Sequence, residues 1–175
     1  MPNPTLSDAL AEYYASADPG EVELVTLEIR HPAFTAPIRV VHNTVDVEAR
    51  LEPLAPLNPG EVVTFQAYAF ELQLPEVTED GNPFLTIQID NVSREITDNL
   101  DRAMQSPERI YVSLRVYLAS ALLDGPQQDP VWHLLMFDVE ANVFRVTARC
   151  RFFDPVNRQF PSKLYTAERF PGLVA

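Results

Sequence analysis

The chain has 175 residues, enough for one domain that buries roughly two-thirds of the surface its unfolded form would expose, so it needs no staple to fold. Thirteen basic residues against twenty-five acidic ones leave a formal charge of -12, which argues against a surface that grips phosphate and so against nucleic acid as a bound partner. A single cysteine, Cys150, excludes an intramolecular disulfide, and no window approaches eighteen uninterrupted apolar residues, so the sequence reads as a protein folded in the cytoplasm without a membrane span.

Thr5 and Asp8 have capping-box spacing, and Leu6, Leu10, Tyr13 and Tyr14 form one stripe, which predicts a helix from Ser7 to Ser16 within residues 1–20. Asp18-Pro19-Gly20 ends it. A β-rich body is expected over residues 21–153, beginning where Val25, Leu27 and Ile29 alternate with Thr26, Glu28 and Arg30 in the manner of a half-buried strand. Two short strands follow, Ile38 to His42 and Val45 to Leu51, about the turn-like Asn43-Thr44. Pro53, Pro56, Pro59 and Gly60 then make a stiff loop.

A long strand is predicted from Val62 to Leu74, with Val63, Phe65, Ala67 and Ala69 on one face and Tyr68, Phe70 and Leu72 on the other. Apolar groups on both faces imply burial between two layers or in an interface. Asp80-Gly81 is a turn signal before a strand from Phe84 to Asp90. Ser93 can cap a helix near residues 93–105, with Ile96, Leu100, Ala103 and Met104 as its apolar stripe. The cleanest period of two runs from Ile110 to Leu118. A last hairpin pairs Val131 to Glu140 with Val143 to Phe152 about Ala141-Asn142, which would set Asp138 opposite Arg145. Residues 154–175 contain three prolines and no sustained period, yet carry Phe160, Leu164, Tyr165, Phe170 and Leu173. Such an extended C-terminal arm cannot form its own core; it either folds back across the body or clasps a neighbouring subunit.

The sequence carries few residues in chemically suggestive patterns. The five glycines are scattered, so no phosphate loop is present in the sequence. His31 and His42 flank one loop but lack a third ligand, and His133 stands apart, so no metal is expected. Cys150 falls on the apolar side of an alternating strand and reads as a small core residue rather than a nucleophile. Glu21/Glu23, Asp46/Glu48 and Asp138/Glu140 are spaced two apart on strand faces, the pattern of solvated faces rather than of a hydrolytic acid pair. Arg145, Arg149 and Arg151 share one face of the final strand. They either dock on an acidic neighbour or pair across strands within the domain, beginning with Asp138. Tyr111 and Tyr117 are the only candidates for an exposed aromatic row, the requirement of an alternative function as a carbohydrate-binding β-sandwich for host attachment.

Three phrases carry a resemblance: His31 to Asp46 (HPAFTAPIRVVHNTVD), Ile89 to Ile96 (IDNVSREI) and Phe160 to Leu173 (FPSKLYTAERFPGL). In this order the chain resembles a family of small distal-tail or tail-tip proteins of long-tailed bacteriophages, encoded near a tape-measure protein and a cell-wall peptidase. The resemblance implies architecture rather than catalysis: a single mainly β domain, a sandwich or barrel of the tail-tube type with one or two short flanking helices. It implies a non-enzymatic structural subunit without cofactor, assembled in the host cytoplasm into the virion tail. Its partners would be copies of itself in a ring of six, or of three, together with the tail tube, the tail-tip hub and the tape-measure protein, with DNA only in transit. The stiff loop bearing Pro53, Pro56 and Pro59, the C-terminal apolar residues and the arginine stripe are then the contact candidates. A lumen of one sign passes DNA by repulsion over about 8 Å at physiological salt, a task that an acidic chain suits.

Overall fold

The computed structural model describes residues 7–16, 20–74, 84–90, 95–142 and 144–152. The protein is mainly β. Among the described residues, nine strands form one mixed sheet: β1 (Glu23–Arg30), β2 (Ile38–Val41), β3 (Val47–Arg50), β4 (Val62–Ala67), β5 (Phe70–Gln73), β6 (Phe84–Asp90), β7 (Ile110–Leu118), β8 (Trp132–Ala141) and β9 (Arg145–Phe152). Their spatial order is β3-β4-β2-β1-β7-β8-β9-β6-β5. All the ladders are antiparallel except the short parallel one between β2 and β4. Two helices accompany the sheet, α1 (Asp8–Ser16) and α2 (Glu95–Met104).

The sheet is rolled rather than flat, and the reason lies in one stretch of chain. The predicted strand from Val62 to Leu74 breaks at Tyr68 and Ala69 into β4 and β5. Its first half pairs with β2 and β3, its second half with β6, at the far end of the strand order. The break is itself held at both sides, since Tyr68 N donates to Val41 O at 3.1 Å and Asp90 N donates to Ala69 O at 3.1 Å. The hydrogen-bonded ladder stays open between β3 and β5, while the continuous chain ties its two ends together. One face therefore curls around a single core that includes Leu27, Val40, Phe70, Ile87, Val112, Leu134 and Ala148.

Apolar groups on both sides of the broken strand follow from this path. Val63 and Phe65 enter a second, smaller core with Leu24, Val41, Leu51, Ala55 and Tyr117, whereas Phe70 enters the main one. Phe65 and Tyr117 meet at 6.2 Å between ring centroids. Strand β1 lies between the two cores, so the half-buried pattern expected for it does not occur: Thr26 and Glu28 are as completely buried as Leu27.

The two helices are short, and each is fixed by a few buried side chains. Ser7 caps α1: its hydroxyl accepts from Leu10 N at 3.2 Å. Thr5 lies outside the described residues. Leu10 is the buried anchor of this helix, and Ser7 also bonds Gln127 through both backbone and side chain. In α2 the expected stripe faces inward through Ile96, Leu100 and Ala103, with Asp98, Asp101 and Arg102 in solvent. Ser93, the proposed cap, lies outside the described residues, as does the Asp80-Gly81 turn, although β5 and β6 do pair as a hairpin.

The last hairpin departs from its expected register. Phe137 faces Arg149 and Val139 faces Ala148, so Asp138 is an extra residue in a bulge, with φ of 53°. Short polar side chains tolerate that backbone best. Asp138 consequently pairs with Arg149 rather than standing opposite Arg145. The turn is closed by Asn142, whose side-chain oxygen accepts from Phe144 N at 2.9 Å and Arg145 N at 2.7 Å.

Candidate functional site

Two surfaces stand out, one built over a buried charge cluster and one built from stacked arginines. The first begins on β1 and β7. Glu28, opposite Arg39 on β2, has a side chain with no exposed surface and accepts from Arg39 Nε at 2.9 Å. Arg30 Nε lies 3.3 Å from the same carboxylate and Arg115 Nη2 lies 3.8 Å from it. Arg115, also fully buried, is held by the proline-rich loop: its Nε and Nη2 donate to the two carboxylate oxygens of Glu52 at 2.6 and 2.9 Å. This two-point pairing is the geometry that planar guanidinium and carboxylate groups favour. Burial alone would raise the carboxyl pKa of Glu52, but the hydrogen bonds and charge of Arg115 outweigh it and hold Glu52 below the ordinary range.

Three guanidinium groups against two carboxylates leave the cluster a positive surplus. His133 borders it, donating to or accepting from Ser113 Oγ at 2.9 Å. Desolvation, with Arg115 and Arg30 adding to it, keeps this imidazole below its usual pKa despite the opposing pull of Glu52. Tyr117 completes the face by donating its hydroxyl to Arg50 O at 3.0 Å, and burial raises its pKa.

The loop that roofs this cluster is closed on itself. Leu51 N donates to Glu61 O, Ala55 N and Gly60 N both donate to Glu52 O, and Asn58 Oδ1 accepts from Arg39. Gly60 has φ of 70°, a backbone that a side chain would strain. Leu51 and Ala55 point into the second core, while Pro53, Pro56 and Pro59 are exposed and Leu54 is 90% exposed. The stiffness expected of the loop is thus joined to an anchor, Glu52, that the reading of its prolines missed.

The second surface lies on the outer side of β6, β9 and β8. Arg145 bridges Asp90 at 3.4 Å and bonds Gln88 Oε1 at 2.8 Å; Arg149 bridges Asp138 at 2.9 Å. The guanidinium of Arg149 also sits 5.2 Å from the Phe84 ring and that of Arg151 sits 5.3 Å from the Phe137 ring. All three predicted arginines therefore make contacts within the domain, and remain about half exposed where bridged, at 45% and 51%. Phe84 and Phe137 remain partly exposed between them.

The other sequence candidates disperse. Phe160, Leu164, Tyr165, Phe170 and Leu173 lie outside the described residues. His31 accepts from Ala33 N and contacts Glu108 O, while His42 Nδ1 is 2.6 Å from Phe70 O, so each histidine bonds backbone. Among the described residues, no group of three or more metal-ligating side chains is suitably placed. Cys150 is fully buried and its thiol is pushed up to about 12 by desolvation. The paired carboxylates serve separate partners: Glu21 accepts from Ser120 N, Glu23 from Tyr14 OH and Asp46 from Ala67 N. The aromatic row fails, because Tyr117 is fully buried and only Tyr111 reaches solvent.

These elements define a mainly β protein whose single rolled sheet encloses two cores and presents an anchored loop and an arginine–aromatic face. The chain belongs to the family described as a domain of unknown function, DUF1833, which it matches over residues 9–165. No curated protein matches it. Among the described residues, no helix is long and apolar enough to cross a membrane.

Proposed function

We propose that this protein is a non-enzymatic structural subunit of a bacteriophage tail, a distal-tail or tail-tip component that forms a ring joining tube to tip and lets DNA pass. The observation that carries the reading is the outer face of β6, β9 and β8, where Arg149 and Arg151 stack on the partly exposed Phe84 and Phe137. Arginine and aromatic groups are enriched at protein interfaces because they bury much area at modest entropic cost while keeping polar handles. The three phrases that resemble phage tail proteins and the mainly β fold with two short helices support it. The strongly acidic composition supports the DNA-transit part, since a lumen of like charge repels the passing phosphates.

Light scattering on the purified 19.7 kDa chain is expected to give a mass of six, or of three, copies, and mass spectrometry of purified virions is expected to find it among the tail proteins. A monomer at every concentration, together with absence from virions, would sink the proposal.

A further inference from the structure

A cavity of ≈ 580 Å³ opens between α2 and strands β2 and β4, within the range of about 300 to 1,000 Å³ typical of small-ligand sites. Val63 and Phe65 point into the second core, so alternation turns Thr64 and Gln66 the other way, onto the side shared with α2. Ile38 and Ile96, both buried in the main core, supply its apolar lining together with Pro37 and the ring of Tyr68. Two of the phrases singled out in the sequence meet here: His31 to Asp46 supplies residues 35–39 and Asp46, and Ile89 to Ile96 supplies Ile96.

The polar lining is dense and its charges cancel. Arg39 and Arg102 stand against Asp46 and Asp98, a sum of zero in a chain of net -12. Each guanidinium also has a carboxylate of its own: Arg39 Nε donates to Glu28 at 2.9 Å, and Asp98 precedes Arg102 by one helical turn. No surplus charge therefore selects an ion. The fold holds these groups in place, since Arg102 Nη1 donates to Thr35 Oγ1 at 3.1 Å, Asp46 accepts from Ala67 N at 2.8 Å, and Asn99 is only 8% exposed. A guanidinium has several donors and a carboxylate several acceptor sites, so these bonds leave capacity for a ligand. The exposed Thr64 and Gln66 add uncharged donors and acceptors.

We propose that this cavity binds a neutral sugar, a hexopyranose or the terminal hexose of a glycan. A pyranose carries hydroxyls that both donate and accept around its edge and C–H groups on its faces. The planar side chains of Arg39, Asp46, Gln66 and Asn99 each present two polar atoms in one plane, which meets neighbouring hydroxyls in pairs. Tyr68, Ile38 and Ile96 offer the apolar surface that the C–H faces require. Unlike the failed row of Tyr111 and Tyr117, this is a hydrogen-bonding pocket with a single aromatic ring, and it goes beyond the structural role proposed above, because a ring subunit requires no sugar.

Saturation-transfer NMR on the full-length protein with glucose, galactose, mannose and N-acetylglucosamine, run beside glycine, acetate and phosphate binding controls, tests the site. At least one of the sugars is expected to bind with a Kd on the order of 1 mM. Gln66→Ala and Arg102→Ala, both at exposed positions, are each expected to weaken that binding about five- to tenfold with unchanged circular dichroism. Saturation of none of the four sugars, tighter binding of glycine, acetate or phosphate than of any sugar, or a Kd unmoved by both substitutions would each overturn the inference. Gln66 and Arg102 are separate from the β6–β9–β8 face, so failure of the sugar site leaves ring assembly standing, and failure of the ring leaves sugar binding to be read in the monomer.

Discussion

Glu52 and Arg115 show what one residue can hold in place. Arg115 is fully buried, and its two hydrogen bonds to Glu52 connect the loop to the sheet across sixty-three residues of chain. Removing one partner of a buried pair leaves the other charged without compensation, at a cost of about 3 to 5 kcal/mol. Glu52→Ala should therefore lower stability by that order in urea unfolding; a loss below about 1 kcal/mol would show that solvent replaces the carboxylate. The pH dependence has a defined sign. Glu52 is depressed in the fold, so its contribution is complete above the ordinary value of 4.5 and is lost as pH falls through the lower folded value. Glu52→Gln should flatten that acid limb, measured as unfolding free energy between pH 6 and pH 3. Cys150 offers a second test: with no exposed surface and its thiol raised to about 12, it should react with thiol reagents at pH 8 only as fast as the protein opens. Rapid labelling of the native protein would place it in a mobile site. The character of Cys150 was legible from strand alternation. The charge cluster was not, because Glu28 and Arg30 look like the solvent side of a strand until the loop over residues 51–61 is known to cover them.

At the scale of elements, alternation located the strands well and their neighbours poorly. β7 and the last hairpin follow from periods of two, since a strand's own pattern records which face is apolar. Alternation does not record how many layers a strand separates. Strand β1 hides Thr26 and Glu28, and the run from Val62 onward bends at Tyr68 to serve two cores, facts decided by pairing with β2 and β6 far along the chain. The bulge at Asp138 was equally invisible, because one extra residue shifts the register without altering the composition of the hairpin. Helix α1 was legible except for its cap. Ser7 serves both as that cap and as a tie to Gln127, so Ser7→Ala should cost about 1 kcal/mol and lower the melting temperature by about 2 to 4 °C. An unchanged melting temperature would mean that α1 contributes nothing through its first turn.

For the whole molecule the question is whether the arginine–aromatic face joins copies. Its internal ion pairs are exposed, and such pairs contribute about 0 to 1 kcal/mol, so Asp90 and Asp138 hold their arginines only loosely. A neighbouring acidic subunit can take over those arginines at little cost, while burial of Phe84 and Phe137 supplies the larger gain. Charge reversal on this face should therefore weaken assembly far more than folding. Arg149→Glu leaves the core untouched, because the side chain is 51% exposed, yet it places two carboxylates together at Asp138 and strips Phe84 of its cation. In a ring each copy supplies one such face to the next, so a loss of about 1.4 kcal/mol per contact weakens every interface tenfold and the closed ring more steeply still. Light scattering is expected to show Arg149→Glu shifted towards monomer with unchanged circular dichroism, and Phe84→Ala shifted likewise at both low and high salt. Assembly unaffected by either substitution would remove this face from the ring and leave the sheet edges at β3 and β5 as the places where one copy meets another.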